Sequence, residues 1–175
     1  MPDPTLSEAE FTAAFARHGR TLWVIAAAWV GRNDAMDLVQ ECASVAWQKR
    51  DRATPGGDLR AWLAQIVRHL GANHRRRRQP IATDPADLAA VASPEPTWSE
   101  HLDVDALALD DHLAQALERL GDAQRAALLL HVVLGHSFAE VGELLGMPEN
   151  TAASHARRAR AILREQLADA AGRNR

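Results

Sequence analysis

The stretch SFAEVGELLGMPENTAASHARRARAILREQL, residues Ser137 to Leu167, decides how the chain is read. Ser137 followed by Glu140 is a capping box, and Phe138, Val141, Leu144 and Leu145 then recur at helical spacing until Gly146 ends the run. Met147-Pro148-Glu149-Asn150 is a short turn; Asn150 is the expected cap of a second helix from Thr151 to about Ala168. Two short helices around a Gly-containing turn form a helix-turn-helix pattern. On the second helix Ala152, Ala156, Ala159 and Leu163 make a small-residue stripe that permits close packing. Thr151, Ser154, His155 and Arg158 make a separate face of hydrogen-bonding groups without a carboxylate. Such a face suits base edges and phosphates in a major groove. A helical hairpin with a solvated polar face has the same pattern, so the motif alone leaves both readings open.

Composition extends the helical reading to the whole chain. Its 175 residues suffice for one domain or two small ones, 47% of them hydrophobic as in folded proteins. Tyr is absent and Phe occurs only 3 times, while Ala, Leu and Arg dominate, which predicts an all-α protein. The single cysteine, Cys42, excludes an internal disulfide framework, fits a reducing compartment and sits among apolar residues as a buried thiol would. The longest apolar run, Leu22 to Val30, is too short to cross a bilayer and follows no signal peptide, so a soluble, cytoplasmic protein without membrane insertion is expected. The net charge of −3 conceals a division along the chain. Residues 1–80 carry 12 Lys/Arg against 8 Asp/Glu, residues 81–112 carry none against 8, and residues 113–175 carry 8 against 7. Two neutral-to-basic blocks thus flank an acidic middle, and a polyanion responds to such patches rather than to the sum.

In chain order, Ser7 with Glu10 caps a helix carrying Phe11, Ala14 and Phe15 to Gly19, and Thr21 to Val30 is a central helix ended by Gly31. Trp23 and Trp29 are core anchors. Asp34 is the expected cap of a third helix to about Lys49, with Leu38, Cys42, Val45 and Ala46 inward and Asp37, Gln40, Glu41, Ser44 and Gln48 outward. Asp58 caps the next, whose buried side is Trp62, Leu63, Ile66, Val67 and Leu70, and which ends in His74-Arg75-Arg76-Arg77-Arg78. Four adjacent guanidiniums repel one another, and such a run commonly has a polyanionic partner; a solvated helix end is the alternative. Pro80, Pro85, Pro94 and Pro96 punctuate an acidic linker, in which Trp98 is exceptional. A Leu-rich helix is then expected from about Asp105 to Gly121, and another capped by Asp122 and ending near Gly135, on whose first turn Arg125 is placed for a phosphate or a carboxylate. The organisation is two small helical domains, residues 7–79 and 105–170, joined by a flexible acidic linker at 80–104.

These features in this order resemble one family. Asp37-Leu38-Val39-Gln40-Glu41, then Trp62-Leu63 with Ile66, then His74 to Arg78, followed in the second block by Leu120 with Arg125, Ser137-Phe138-Ala139-Glu140-Val141, Asn150-Thr151, Ser154 and Arg158-Ala159-Arg160, are similar to a bacterial sigma factor of the compact extracytoplasmic-function type. That type holds only regions two and four of the sigma-70 family. The resemblance implies a promoter-specificity subunit without an active site, which directs RNA polymerase core to promoters and assists their opening. Asp37, Leu38, Gln40 and Glu41 would dock on the clamp helices of the polymerase largest subunit. The segment from Asp51 to Asp58 and the helix after it, with His69, Asn73, Arg75 and Arg76, would hold the melted minus-ten strand and a flipped base, with Trp62 a core residue that positions this helix. Arg125, Asn150, Thr151, Ser154, His155 and Arg158 would meet the minus-thirty-five duplex.

The chain departs from the family pattern with His69 for a usual Asn, Asn73 for a common Asp, Ala153 for a frequent Lys and His155 for a frequent Arg. Each lost contact weakens phosphate attraction or alters base preference. The resemblance also implies an anti-sigma factor as a further partner. A different class of reading is a stand-alone helix-turn-helix regulator with a sensing or dimerisation module, which would bind duplex DNA by itself. Enzyme motifs are absent: no Gly-rich phosphate loop, zinc spacing or nucleophile elbow occurs, and His69 with His74, like His131 with His136, are five apart, a poor spacing for one helical face. No metal and no cofactor are expected.

Overall fold

A computed structural model describes residues 6–53, 57–78 and 111–173. Among them there are seven α-helices, one 3-10 turn and no strand. The chain divides into two compact units, Met1–Leu102 and Asp103–Arg175. The proline-rich acidic segment with Trp98, and the expected start of a helix at Asp105, lie outside the described residues.

In the first unit the capping box forms as its residues dictate: Glu10 N–H donates to Ser7 Oγ at 3.3 Å and Ser7 N–H to Glu10 Oε2 at 3.0 Å. The helix it starts, α1 (Glu8–Val30), does not stop at Gly19 but runs through it, so the two helices expected here are one. Phe15 and Leu22, on either side of that glycine, are fully buried with Ile25 in the same core. Burial of that face outweighs the roughly 1 kcal/mol that a glycine costs a helix interior. Gly31, at φ +88°, ends α1 in a conformation that a side chain resists, and α2 (Arg32–Gln48) follows at once. Asp34 therefore lies in the first turn of α2, not at its cap; there its carboxylate faces the positive end of the helix dipole.

Ala35, Leu38, Val39, Cys42, Ala43 and Ala46 are the buried side of α2, whereas Val45 is only half-buried. A 3-10 turn (Arg50–Arg52) leads toward α3 (Leu59–Arg78), whose first turn is capped by Asp58 accepting from Ala61 N–H at 3.2 Å. Leu63, Ile66 and Val67 are buried; Trp62 and Leu70 are half-buried. The three helices pack on one another pairwise. Gly71 lets α3 approach α1 closely, since a Cβ there would stand 2.8 Å from Trp29 Cβ.

The second unit is built on α7. Helices α4 (Asp111–Glu118), α5 (Asp122–Val132) and α6 (Phe138–Leu145) each pack against α7 (Glu149–Arg173). Leu117, Leu120, Leu129, Leu130, Val141 and Leu144 form the core with the alanine stripe of α7, where Ala152, Ala156, Ala159 and Leu163 are all buried. The start of α5 differs by one residue from the expectation. Gly121, not Asp122, stands at its cap, and Gln124 Oε1 accepts from Gly121 N–H at 3.3 Å.

Candidate nucleic-acid interface

The helix-turn-helix forms through local bonds that its sequence anticipates. Ser137 Oγ accepts from Glu140 N–H at 3.3 Å while Glu140 Oε2 accepts from Ser137 N–H at 2.9 Å, closing the box that starts α6. Gly146 takes the left-handed conformation at φ +65° and reverses the chain. Met147 N–H then donates to Gly142 O at 2.9 Å. Asn150 is not the cap of α7: the helix begins at Glu149, and the carbonyl of Pro148 accepts from both Thr151 and Ala152 N–H at 2.9 and 3.0 Å. Proline has no N–H to satisfy, so it ends the turn without leaving a donor unpaired.

Gly142 escaped the sequence reading. A Cβ at this position would meet Met147 O at 2.7 Å and Glu149 N at 3.3 Å, so only glycine lets α6 approach the turn and the first turn of α7 this closely. A glycine inside a strongly helical run was the available signal.

The face expected to meet duplex DNA is unevenly presented. Asn150, Thr151 and Arg158 are exposed, Ser154 is half-buried, and His155 is half-buried with a buried Nδ1 that has no hydrogen-bond partner among the described residues. His155 stands beside the alanine stripe, so helix rotation turns it toward the packing side. Exposed Arg157 and Arg164 were not singled out from the sequence, and Arg160, also exposed, entered there only within the Arg158-Ala159-Arg160 run. Arg125 does not point a free guanidinium outward. Its Nε donates to Leu117 O at 2.7 Å, and one terminal nitrogen donates to Glu118 O and Leu120 O, each at 2.9 Å. The cation thereby holds two carbonyls in the last turn of α4, where the helix dipole is negative, and one just past its end, and a phosphate would have to compete with three formed bonds.

At the turn between α5 and α6, the His131 ring meets the backbone of His136. His131 Nδ1 lies 2.8 Å from His136 O, with its ring stacked on Phe138 at 4.0 Å. No cluster with metal-binding composition occurs among the described residues.

On the first unit, His69, Asn73, Arg75 and Arg76 are all exposed along the second half of α3. Arg76 donates to Asn73 Oδ1 at 2.6 Å, so these two act as a linked pair. On α2, Asp37 and Gln40 are exposed and Glu41 is half-buried, with His74 Nε2 3.4 Å from Glu41 Oε2. Leu38 is 1% exposed, which corrects its assignment to a docking surface: it is a core residue beneath that surface. Of the segment Asp51 to Asp58, residues 54–56 lie outside the described set. Just before it, Arg50 sits 4.2 Å from the centre of the Trp47 ring and donates to Trp47 O at 2.9 Å, which fastens the end of α2. Cys42 is buried with Sγ 3.7 Å from Leu63 O, and burial pushes its thiol far above the ordinary range, with Glu41 adding to the shift.

Comparison with known proteins places both units. Residues 14–81 match the family described as Sigma-70 region 2, and residues 111–163 the family described as Sigma-70, region 4. The chain is 32% identical to the ECF RNA polymerase sigma factor EcfG of Rhodopseudomonas palustris over 74% of its own length and 68% of that protein. It is 31% identical to the RNA polymerase sigma factor CarQ of Myxococcus xanthus, covering 91% of this chain and 90% of that one. It spans 33% to 54% of the length of several other sigma factors that it matches. Among solved structures it is similar to the sigma factor RpoE of Bartonella quintana, in complex with the anti-sigma factor NepR, at a TM-score of 0.64 and 25% identity over 90% of this chain and 96% of that one.

Proposed function

The chain belongs to the sigma-70 family as an RNA polymerase sigma factor of the extracytoplasmic-function type, and from this premise we infer how its surfaces divide the work of starting transcription. The chain directs polymerase core to its promoters and assists their opening. The exposed Asp37 and Gln40 with Glu41 on α2 dock on the clamp helices of the polymerase largest subunit. The α3 end, with His69, Asn73, Arg75 and Arg76, holds the backbone of the melted minus-ten strand by charge and hydrogen bonding. Helix α7 enters the major groove of the minus-thirty-five duplex with Asn150, Thr151, Ser154 and Arg158 toward base edges and phosphates. His155 makes at most an edge contact, and Arg125 acts by holding α4. The chain contributes no catalytic group; polymerase supplies the chemistry, in the cytoplasm where both meet. No helix among the described residues is long and apolar enough to cross a membrane. An anti-sigma factor covering these faces is the natural negative regulator.

The observation that carries this reading is the exposed Thr151 and Arg158 on a helix whose alanine stripe is buried in the core of its unit, just beyond a turn that only Gly142 permits. In vitro transcription with purified core polymerase over a promoter library tests it. Transcripts from a defined promoter subset, dependent on this chain and reduced by Arg158→Ala without loss of helicity, are expected. A folded chain that core polymerase does not retain, or that binds duplex DNA tightly as a dimer without core, refutes it in favour of a stand-alone regulator.

A further inference from the structure

The exposed side of α7 has two flanks, and the base-reading residues occupy one. At about 100° per residue, Arg157 and Arg158 diverge by roughly that angle, and Arg164 returns to within about 20° of Arg157 while lying about 10 Å farther along the axis. Arg160 stands between them at helical neighbour spacing from both. All three are exposed, and no carboxylate occurs three or four residues away from any of them on α7. Arg157 with Arg160, and Arg160 with Arg164, are therefore like-charge neighbours that destabilise the helix carrying them. A repulsive row on a helix that the fold depends on calls for a polyanion, as the run at the end of α3 does.

We propose that Arg157, Arg160 and Arg164 form a phosphate-binding row along one strand of the duplex, separate from the Thr151, Ser154 and Arg158 flank that meets bases. The inference rests on the sigma-factor reading and deepens it. The row presents three guanidiniums along about 10 Å of α7, enough to meet successive phosphates of one strand. It supplies affinity without sequence information, because phosphate contacts set position and base contacts set specificity. The electrostatic attraction that the half-buried His155 and the bonded Arg125 do not deliver comes from this flank.

The test uses the whole chain assembled with core polymerase and titrated onto duplex promoter fragments across a salt series. For R157Q/R164Q the slope of log affinity against log salt becomes shallower by about 1.8, so the affinity lost between about 50 and about 200 mM salt shrinks roughly tenfold. The change is the same on a fragment with a scrambled minus-thirty-five element, and the rank order of promoters is kept. The variant stays helical, with a thermal midpoint equal to or above that of the unmodified chain. An unmoved slope, an altered promoter order or a lower midpoint overturns the row. So does weakened core binding with an unmoved slope, which would assign these arginines to an acidic protein surface. If the unmodified chain forms no core-dependent complex with DNA, it is the sigma-factor reading that fails; if it forms one and the slope is unmoved, only the row fails.

Discussion

Gly142→Ala puts the geometry of the helix-turn-helix to a quantitative test. The added methyl would stand 2.7 Å from Met147 O and 3.3 Å from Glu149 N, both backbone atoms that no rotamer change can move. Ordinary contact begins at 3.4 Å, so the turn must retreat by about 0.7 Å. Overpacking of this kind costs about 1–3 kcal/mol. The same retreat stretches the Met147 to Gly142 hydrogen bond, now 2.9 Å, which contributes about 1 kcal/mol. Against this, alanine gains about 1 kcal/mol over glycine in a helix interior. The clash wins, with a net loss of about 1–3 kcal/mol, or roughly 10 °C in the midpoint of a unit of this size.

The assay separates the two units by their own spectroscopy. Trp23, Trp29, Trp47 and Trp62 stand on the three helices of the first unit and no tryptophan follows Trp98, so a cooperative change in tryptophan fluorescence follows the first unit, whereas far-ultraviolet circular dichroism follows both. Gly142→Ala should lower a dichroism transition and leave the fluorescence transition in place. Gly71→Ala, which drives a methyl against Trp29 at 2.8 Å, should lower the fluorescence transition instead. A Gly142→Ala chain with an unchanged or higher dichroism transition would mean that the turn yields freely, and the argument for close approach would fail.

Arg125→Met leaves three carbonyls at the end of α4 without their charged donor and should destabilise the second unit by about 1–3 kcal/mol, read as a lower dichroism midpoint; weaker DNA binding at full stability would instead return Arg125 to the interface. Cys42 should resist a thiol reagent at pH 8 until the first unit unfolds. Its thiol is raised by burial in the folded state, so from about pH 8.5 upward the unfolded chain sheds the proton first and stability falls as pH rises. Rapid labelling without unfolding, or flat stability across that range, would contradict the burial. Neutralising Arg75 and Arg76 should impair strand opening, followed by permanganate reactivity of unpaired thymines, more than the initial docking of polymerase; the reverse order would reassign the α3 end.

Whatever depends on residues three or four apart was legible in the chain itself. The boxes at Ser7 and Ser137, the glycine stops at Gly31 and Gly146, the Asp58 cap and the alanine stripe of α7 all follow from local spacing, because caps and periodicity are satisfied within one or two turns. The same local rules erred where packing outweighed propensity, at Gly19, and where a neighbouring residue took the terminus, at Gly121 and Pro148. Only the tertiary structure decided which polar and apolar groups are available. Leu38 sits beneath its proposed docking face, His155 turns toward its own core, Arg125 is spent on the carbonyls of α4, and Gly71 and Gly142 are required by atoms of another segment. Exposure and close approach are properties of chain segments brought together across the fold, and no count of residues along one helix contains the position of the helix beside it.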